Sequence, residues 1–303
     1  MIFVIIFMLF ILLLSLLCNS YLHASKHVKI ANYISNENYK HSNLISNKST
    51  IAVFSIEEMR NIRMQLNSRK NELEQYCKII DRTSSNLDNC KFIEFIFYRT
   101  HRLSWCPIYK AASSTWMKHF ATLGGVLTES KLNTTTKFLI VRHPFERLVS
   151  AYRDKLEHIE GRDYYYKRFG RHIAHKYHRY RKPNETKLEP TFTEFLRFIV
   201  EEKYFDEHWA PFIDTCEPCL IQYNYILKFD TFDRDQKFLI QELGLNEYLY
   251  EKNDLKNINP RGVTTTTLVK QYMQNVPRSL LDEINKERSF SPSLYSLYTT
   301  PQV

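Results

Sequence analysis

Apolar positions are spread unevenly along the 303-residue chain, and their spacing divides it into three parts. From Ile2 to Leu17 every residue is apolar except Ser15, a run of 16 that ends at Cys18, Asn19 and Ser20. As a helix rising about 1.5 Å per residue this run spans roughly 24 Å, short of a hydrocarbon core of about 30 Å. Residues 1–20 therefore read as a targeting segment, either a cleaved signal peptide or a signal anchor, and both deliver the remainder of the chain to a lumen. No Lys or Arg precedes the run while Lys26 and Lys29 come after it, a bias opposed to a cytoplasmic amino terminus. Residues 21–50 are rich in Asn, Ser and Lys without hydrophobic periodicity, the pattern of a flexible stem. Periodicity begins near Ile51, so residues 51–303 are expected to form one lumenal domain.

Within that domain, Ile56, Met59, Ile62, Met64, Leu66 and Leu73 among charged residues predict a docking helix over Ser55–Ile80. Beyond it lie two strand–loop–helix units. The first runs from an apolar stretch, Leu103 to Tyr109, through Lys110–Thr115 into a helix near Trp116; the second has the strand Phe138–Val141, the loop Arg142-His143-Pro144 and a helix from Phe145 to His158. Short apolar strands alternating with helices predict an α/β fold with a central parallel sheet and flanking helices, whose ligands sit beyond the carboxyl ends of the strands. Further on, the pattern predicts a helix over Phe192–Phe205, a strand over Cys219–Phe229, a helix over Asp233–Leu243 and a helical tail from Thr264. The stretch Tyr164–Lys182, dense in Tyr, Lys, Arg and His, reads as an exposed insertion.

Composition adds a formal charge of +9 and a pI near 9.1, which favour an anionic partner without choosing among nucleic acid, nucleotide and acidic polysaccharide. A lumenal address removes nucleic acid. Only 6 glycines argue against a glycine-rich dinucleotide fold. Five cysteines lie beyond the apolar run, Cys77, Cys90, Cys106, Cys216 and Cys219, enough for two disulfides with one thiol over. The Cys216-x-x-Cys219 pair has no second pair at zinc spacing and reads as a structural disulfide partner, within the pair or with another cysteine. Asn47, Asn133 and Asn184 begin glycosylation triplets.

Two loops carry candidate chemistry. Lys110 at a strand end, small residues, then Ser113, Ser114 and Thr115 leading into a helix make a phosphate cradle, because helix-end amides and the helix dipole attract anions. A Walker loop would carry two glycines and place its lysine last; here the glycines are absent and the lysine comes first, and an ordinary strand-to-helix turn is the plain alternative. Arg142 at the second strand end, with Ser150 two helical turns on, suits a second phosphate, since a guanidinium binds phosphate oxygens in pairs. Standing alone, the same string would be a surface Arg142–Glu146 pair and a packed serine.

Together the segments resemble the 5′-phosphosulfate loop and 3′-phosphate motif of the Golgi carbohydrate sulfotransferases related to the HNK-1 and chondroitin/dermatan 4-O-sulfotransferases. Phe138 through Lys155 is nearly that family's own string, Cys106 through Trp116 matches its first motif, and His208-Trp209-Ala210-Pro211 with Cys216-Glu217-Pro218-Cys219 and Lys228-Phe229-Asp230-Thr231 resembles its later block. Tyr109 departs from the family's usual proline, and the carboxyl-terminal aromatic block is only loosely present at Phe290–Tyr298. The resemblance implies a P-loop-like sulfotransferase fold and PAPS as sulfuryl donor, without a metal. It places Lys110, Ala111, Ala112, Ser113, Ser114, Thr115 and Trp116 on the 5′-phosphosulfate and Arg142 with Ser150 on the 3′-phosphate. Lys110 becomes the main catalytic group and His208 the candidate base, with Glu157, His158, Asp154 and Glu207 as rivals. The acceptor it implies is a hydroxyl of an anionic glycan of chondroitin/dermatan type, in the Golgi lumen on a single-pass membrane protein or after secretion. A catalytically inactive, glycan-binding secreted protein on the same fold is the alternative.

Overall fold

The structure, a computed structural model, describes residues 53–79, 95–124, 126–127, 134–180, 187–249, 262 and 264–286. The targeting segment, the stem, all three glycosylation triplets' asparagines, Cys90 and the block Phe290–Tyr298 lie outside the described residues. No helix among the described residues is long and apolar enough to cross a membrane.

Five strands form one sheet in the order β3-β1-β2-β4-β5: β1 (Ile96–Tyr98), β2 (Leu103–Trp105), β3 (Val126–Leu127), β4 (Thr136–Val141) and β5 (Tyr225–Lys228). The α/β fold is as expected, with one correction to the sheet. β2, β4 and β5 are parallel, with Trp105 opposite Phe138 and Val141 opposite Lys228, whereas β1 pairs antiparallel with both β2 and β3. The antiparallel edge is not legible in the sequence because β1 and β2 are three residues each and join through a tight hairpin, with Arg102 at φ 47°. Runs this short show no period.

The predicted docking helix is present as α1 (Ile56–Ile79), burying Met59, Ile62, Leu66, Leu73, Tyr76 and Cys77. Its Arg69 reaches into the core, donating to the Asp235 carboxylate at 2.6 Å and to the Ile226 carbonyl at 3.0 Å. The two units close with α2 (Ser113–Thr122) and α3 (Pro144–Lys155). Proline at the first helical position of α3 loses no hydrogen bond, because that amide has no intrahelical acceptor. Helix α2 starts three residues earlier than predicted, so the three hydroxyl residues form its first turn.

The stretch expected as an exposed insertion is instead helical and half buried. Short pieces α4 (Asp163–Tyr165), a π-helical Tyr166–Gly170, α5 (Arg171–Tyr177) and the 3₁₀ turn His178–Tyr180 succeed one another, burying Phe169, Ile173, Ala174 and Tyr177. A Cβ on Gly170 would stand 2.8 Å from the Tyr166 ring, so only glycine permits that π turn as packed. This helical run, α3, α6 (Phe192–Glu202), α9 (Thr266–Met273) and α10 (Arg278–Lys286) enclose a second core beside the one under the sheet. The charge density of the stretch masks its apolar spacing. Helices α7 (Phe212–Cys216) and α8 (Phe232–Glu242) complete the set.

Two disulfides, Cys77–Cys219 and Cys106–Cys216, use both members of the Cys216-x-x-Cys219 pair with distant partners instead of each other. The first staples α1 to the segment before β5; the second ties the residue after β2 to the end of α7.

Candidate active site

Strand β2 ends at Trp105, and the chain turns through Tyr109–Ala112 into α2. Lys110 and Ala112 sit in the left-handed region, at φ 68° and 57°. This costs non-glycine residues roughly 1–2 kcal/mol each, and a Walker loop assigns comparable turns to glycine. Left-handed residues of this kind bend successive amides into the concavities that take anions. Ala112 caps α2 without a side-chain hydrogen bond, so the amides of Ser113 and Ser114 have no intrahelical acceptor and the positive helix end faces the loop. Ser114 and Thr115 are half-buried at this mouth, whereas Ala111 and Ser113 are buried. Trp116 belongs to the core: its ring lies 4.5 Å from that of Phe138, and its amide donates to the Ala112 carbonyl at 3.2 Å.

The Lys110 ammonium meets Asp154 Oδ2 at 3.0 Å, and Lys155 reaches the same oxygen at 3.1 Å. Arg162 holds the other oxygen at 2.8 Å. Three cations thus converge on one carboxylate at the loop. Burial pushes Lys110 below the ordinary lysine value, opposed by Asp154. Burial would raise the Asp154 carboxyl, but the ammonium groups of Lys110 and Lys155 outweigh it and hold it well below the carboxylate range. A carboxylate so stabilised is a poor base.

Arg142, buried at the carboxyl end of β4, donates to the carbonyls of Lys110 and Thr264, each at 3.1 Å, and lies 4.3 Å over the Phe229 ring. Its pair with Glu146, at 3.4 Å, is part-buried instead of superficial. Ser150 is buried on α3. From the same helix, Arg153 donates to the Thr264 hydroxyl at 3.2 Å, so one short segment bridges two arginines beside the loop. On the neighbouring strand end stands Lys228, pushed down to about 8 by burial and by Arg69.

His208 packs beside the loop, its ring 5.1 Å from that of Tyr109 and 5.5 Å from that of Tyr165. Its Nδ1 is 2.6 Å from Asp206 Oδ1. An ionised carboxylate only accepts, so Nδ1 carries the proton and Nε2 keeps its lone pair. Burial lowers the His208 pKa against the pull of Asp206, which favours this neutral form. Arg147 joins the two halves: it donates to the carbonyl of Tyr109 at 2.7 Å, to that of Glu207 at 3.2 Å and to that of Ala210. The Cys106–Cys216 bond bridges the same two segments covalently. Of the rival bases, Glu157 accepts from the Tyr272 hydroxyl and lies 3.7 Å from exposed His158, while Glu207 stands 4.0 Å from His208. No cluster of metal-ligating side chains occurs among the described residues.

Comparison with known proteins decides the family. The profile of the sulfotransferase family matches residues 93–288, which contain every residue of the site. The chain belongs to the sulfotransferase family. Its curated relatives include human carbohydrate sulfotransferase 9, 27% identical over 277 residues that cover 77% of this chain and 60% of that protein. Zebrafish (Danio rerio) carbohydrate sulfotransferase 14 is 29% identical over 61% of this chain and 56% of its own length. Mouse carbohydrate sulfotransferase 11 is 31% identical over 48% and 42%. The chain thus spans about two-fifths to three-fifths of the length of the relatives it matches. No solved structure matches it.

Within this sulfotransferase framework the structure brings Lys110, Ser114, Thr115, Arg142 and His208 to one end of the parallel strands. It adds groups to which the sequence pattern assigns no role: Arg147, Arg153, Lys155, Asp206 and Thr264. Asp206 stands two residues before His208, but spacing in a loop does not say whether side chains meet. Arg147 and Lys155 lie inside the string that carries the resemblance, undistinguished from surface charges until α3 is placed.

Proposed function

We propose that this chain transfers a sulfuryl group from PAPS to a hydroxyl of an anionic glycan of chondroitin/dermatan type, leaving adenosine 3′,5′-bisphosphate. One observation carries the reading: an uncapped helix end with a strained lysine loop, beside a buried arginine at the next strand end and facing a His208–Asp206 pair. The residues fit the donor. The α2 amides with Ser114 and Thr115 form the anion cradle for the phosphosulfate, and Arg142 with Ser150 lies where a 3′-phosphate would be held. Bound there, the donor supplies an activated sulfuryl group on a phosphate leaving group. Lys110, released from Asp154, neutralises charge growing on the leaving oxygen, a role a helix-end site supports without a metal. His208 Nε2 accepts the proton of the attacking hydroxyl, and Asp206 stabilises the resulting imidazolium.

The sulfotransferase relatives support a glycan acceptor, and the apolar run Ile2–Leu17 supports residues 1–20 as targeting segment, 21–50 as stem and 51–303 as a domain in the Golgi lumen or secreted. Calorimetric titration of the chain with adenosine 3′,5′-bisphosphate tests the donor site. Binding should be weakened by more than about 1.4 kcal/mol, tenfold in affinity, in both Lys110→Ala and Arg142→Ala. Absence of binding by folded protein would sink the reading.

A further inference from the structure

The helical run Asp163–Tyr180 has two unlike faces. Phe169, Ile173, Ala174 and Tyr177 are buried in the second core. On the other side Lys167, Arg168, Arg171, His172, His175, Lys176, His178 and Arg179 are exposed. Some of these side chains are already answered: His172 and Lys176 contact Glu202 at 2.9 and 3.0 Å, and Arg168 lies 3.8 Å from Asp206. Four are not. Lys167, Arg171, His175 and His178 have no acidic partner among the described residues. Lys167 and Arg171 carry like charges one helical turn apart, an arrangement that a polyanion relieves, and the two imidazoles offer hydrogen bonds beside them.

The amino-terminal end of the run abuts the site. Tyr165 packs edge-on against His208 at 5.5 Å and beneath the Lys155 ammonium at 4.3 Å, and Arg168 approaches the Asp206 that orients His208. The exposed basic face therefore begins at the proposed base and leads away from it along 18 residues, about 27 Å of helix.

We infer that this face is the track on which a polyanionic acceptor chain lies: carboxylate- or sulfate-bearing sugars bind along Lys167, Arg171, His175 and His178 while the reacting sugar sits at His208. The inference rests on the glycan-acceptor reading above for its occupant. A membrane surface, the other polyanion a lumenal protein meets, fits less well, because an interfacial helix buries its apolar face in lipid and here that face is buried in protein. Arg168 and Lys155 mark where track and site join.

The test is direct binding of a desulfated chondroitin polymer, whose only charges are carboxylates, to the full chain and to Lys167→Glu/Arg171→Glu. Both positions are exposed, and a matched melting temperature shows that the variant folds. The variant should lose at least about tenfold in polymer affinity at low salt, and the wild-type affinity should fall steeply as salt rises. Affinity for adenosine 3′,5′-bisphosphate should be the same in both. Equal polymer affinity in wild type and variant at low salt overturns the inference. So does sedimentation of the chain with phosphatidylserine vesicles that the variant loses while its polymer affinity is unchanged, which would make the face a membrane contact. Failure of the wild type to bind adenosine 3′,5′-bisphosphate would instead sink the transferase reading and leave the polymer result standing.

Discussion

At the scale of single residues, the site depends on groups that hold other groups in place. Asp206 sets which nitrogen of His208 carries the proton. Asp206→Asn removes the charge that raises the His208 pKa against burial, and an amide can turn its NH₂ toward Nδ1 and favour the wrong tautomer. The expected result is a kcat lowered by about tenfold or more, with adenosine 3′,5′-bisphosphate affinity unmoved. Because burial holds His208 below the ordinary 6.5, the wild-type kcat/KM should fall only when pH drops below that value, and the variant's acid limb should lie lower still. A pH–rate profile checks both. The left-handed Ala112 makes a second residue-scale prediction. Ala112→Gly should fold with stability unchanged or raised by up to about 1 kcal/mol, whereas Ala112→Val, β-branched in a region hostile to such residues, should cost more than the alanine's own strain of about 1–2 kcal/mol. Urea unfolding distinguishes them. The strings that Lys110 and His208 head are legible in the sequence; the contacts of Asp206 and Arg147 are not, because they depend on which carbonyl or ring nitrogen the fold brings opposite.

Among the elements, what matters is how separate segments are kept in register around the anion loop. The loop after β2 and the segment after α6 are far apart in sequence, yet Arg147 bonds carbonyls of both and Cys106–Cys216 links them across 110 residues. Removing the bond by Cys106→Ser/Cys216→Ser should cost about 2–5 kcal/mol of stability and weaken adenosine 3′,5′-bisphosphate binding, since the loop loses its anchor to the base segment. Calorimetry of the variant beside the wild type, both with Cys77–Cys219 intact, measures the two effects. The parallel strands and their helices could be predicted because apolar runs and helical spacing state themselves locally. The antiparallel edge and the two-faced helix at 163–180 could not, the first for want of length and the second because dense charge obscures a stripe of four buried residues.

For the molecule as a whole, α1 joins the fold through a buried charge. Arg69 is 5% exposed and Asp235 fully buried, and the carboxylate also accepts from the Lys228 amide and the Thr231 hydroxyl. Arg69→Met leaves that carboxylate without its buried partner, with the part-exposed Arg234 still at 2.9 Å on its other oxygen, and is expected to lower stability by up to about 3–5 kcal/mol. The companion Arg69→Met/Asp235→Leu should recover part of it if the loss comes from the carboxylate deprived of its buried partner. Denaturant unfolding of both, with donor affinity as control, measures how far docking of α1 supports a site it does not touch. A helical pattern predicted this helix and its apolar face, but not that one arginine of that face would be its polar anchor.

The order of apolar and polar positions determined by itself an apolar run at Ile2–Leu17, a polar stretch after it and an α/β domain with two loops at strand ends. These are local properties, written within a dozen residues at a time. Tertiary structure alone decided which cysteines pair, that Asp154 gathers Lys110, Lys155 and Arg162, that His208 packs on Tyr109 with Asp206 at its Nδ1, and that an exposed basic helical face starts beside it. Each of these joins side chains through space, and their energies depend on burial and on distances of a few ångströms that no spacing along the chain encodes.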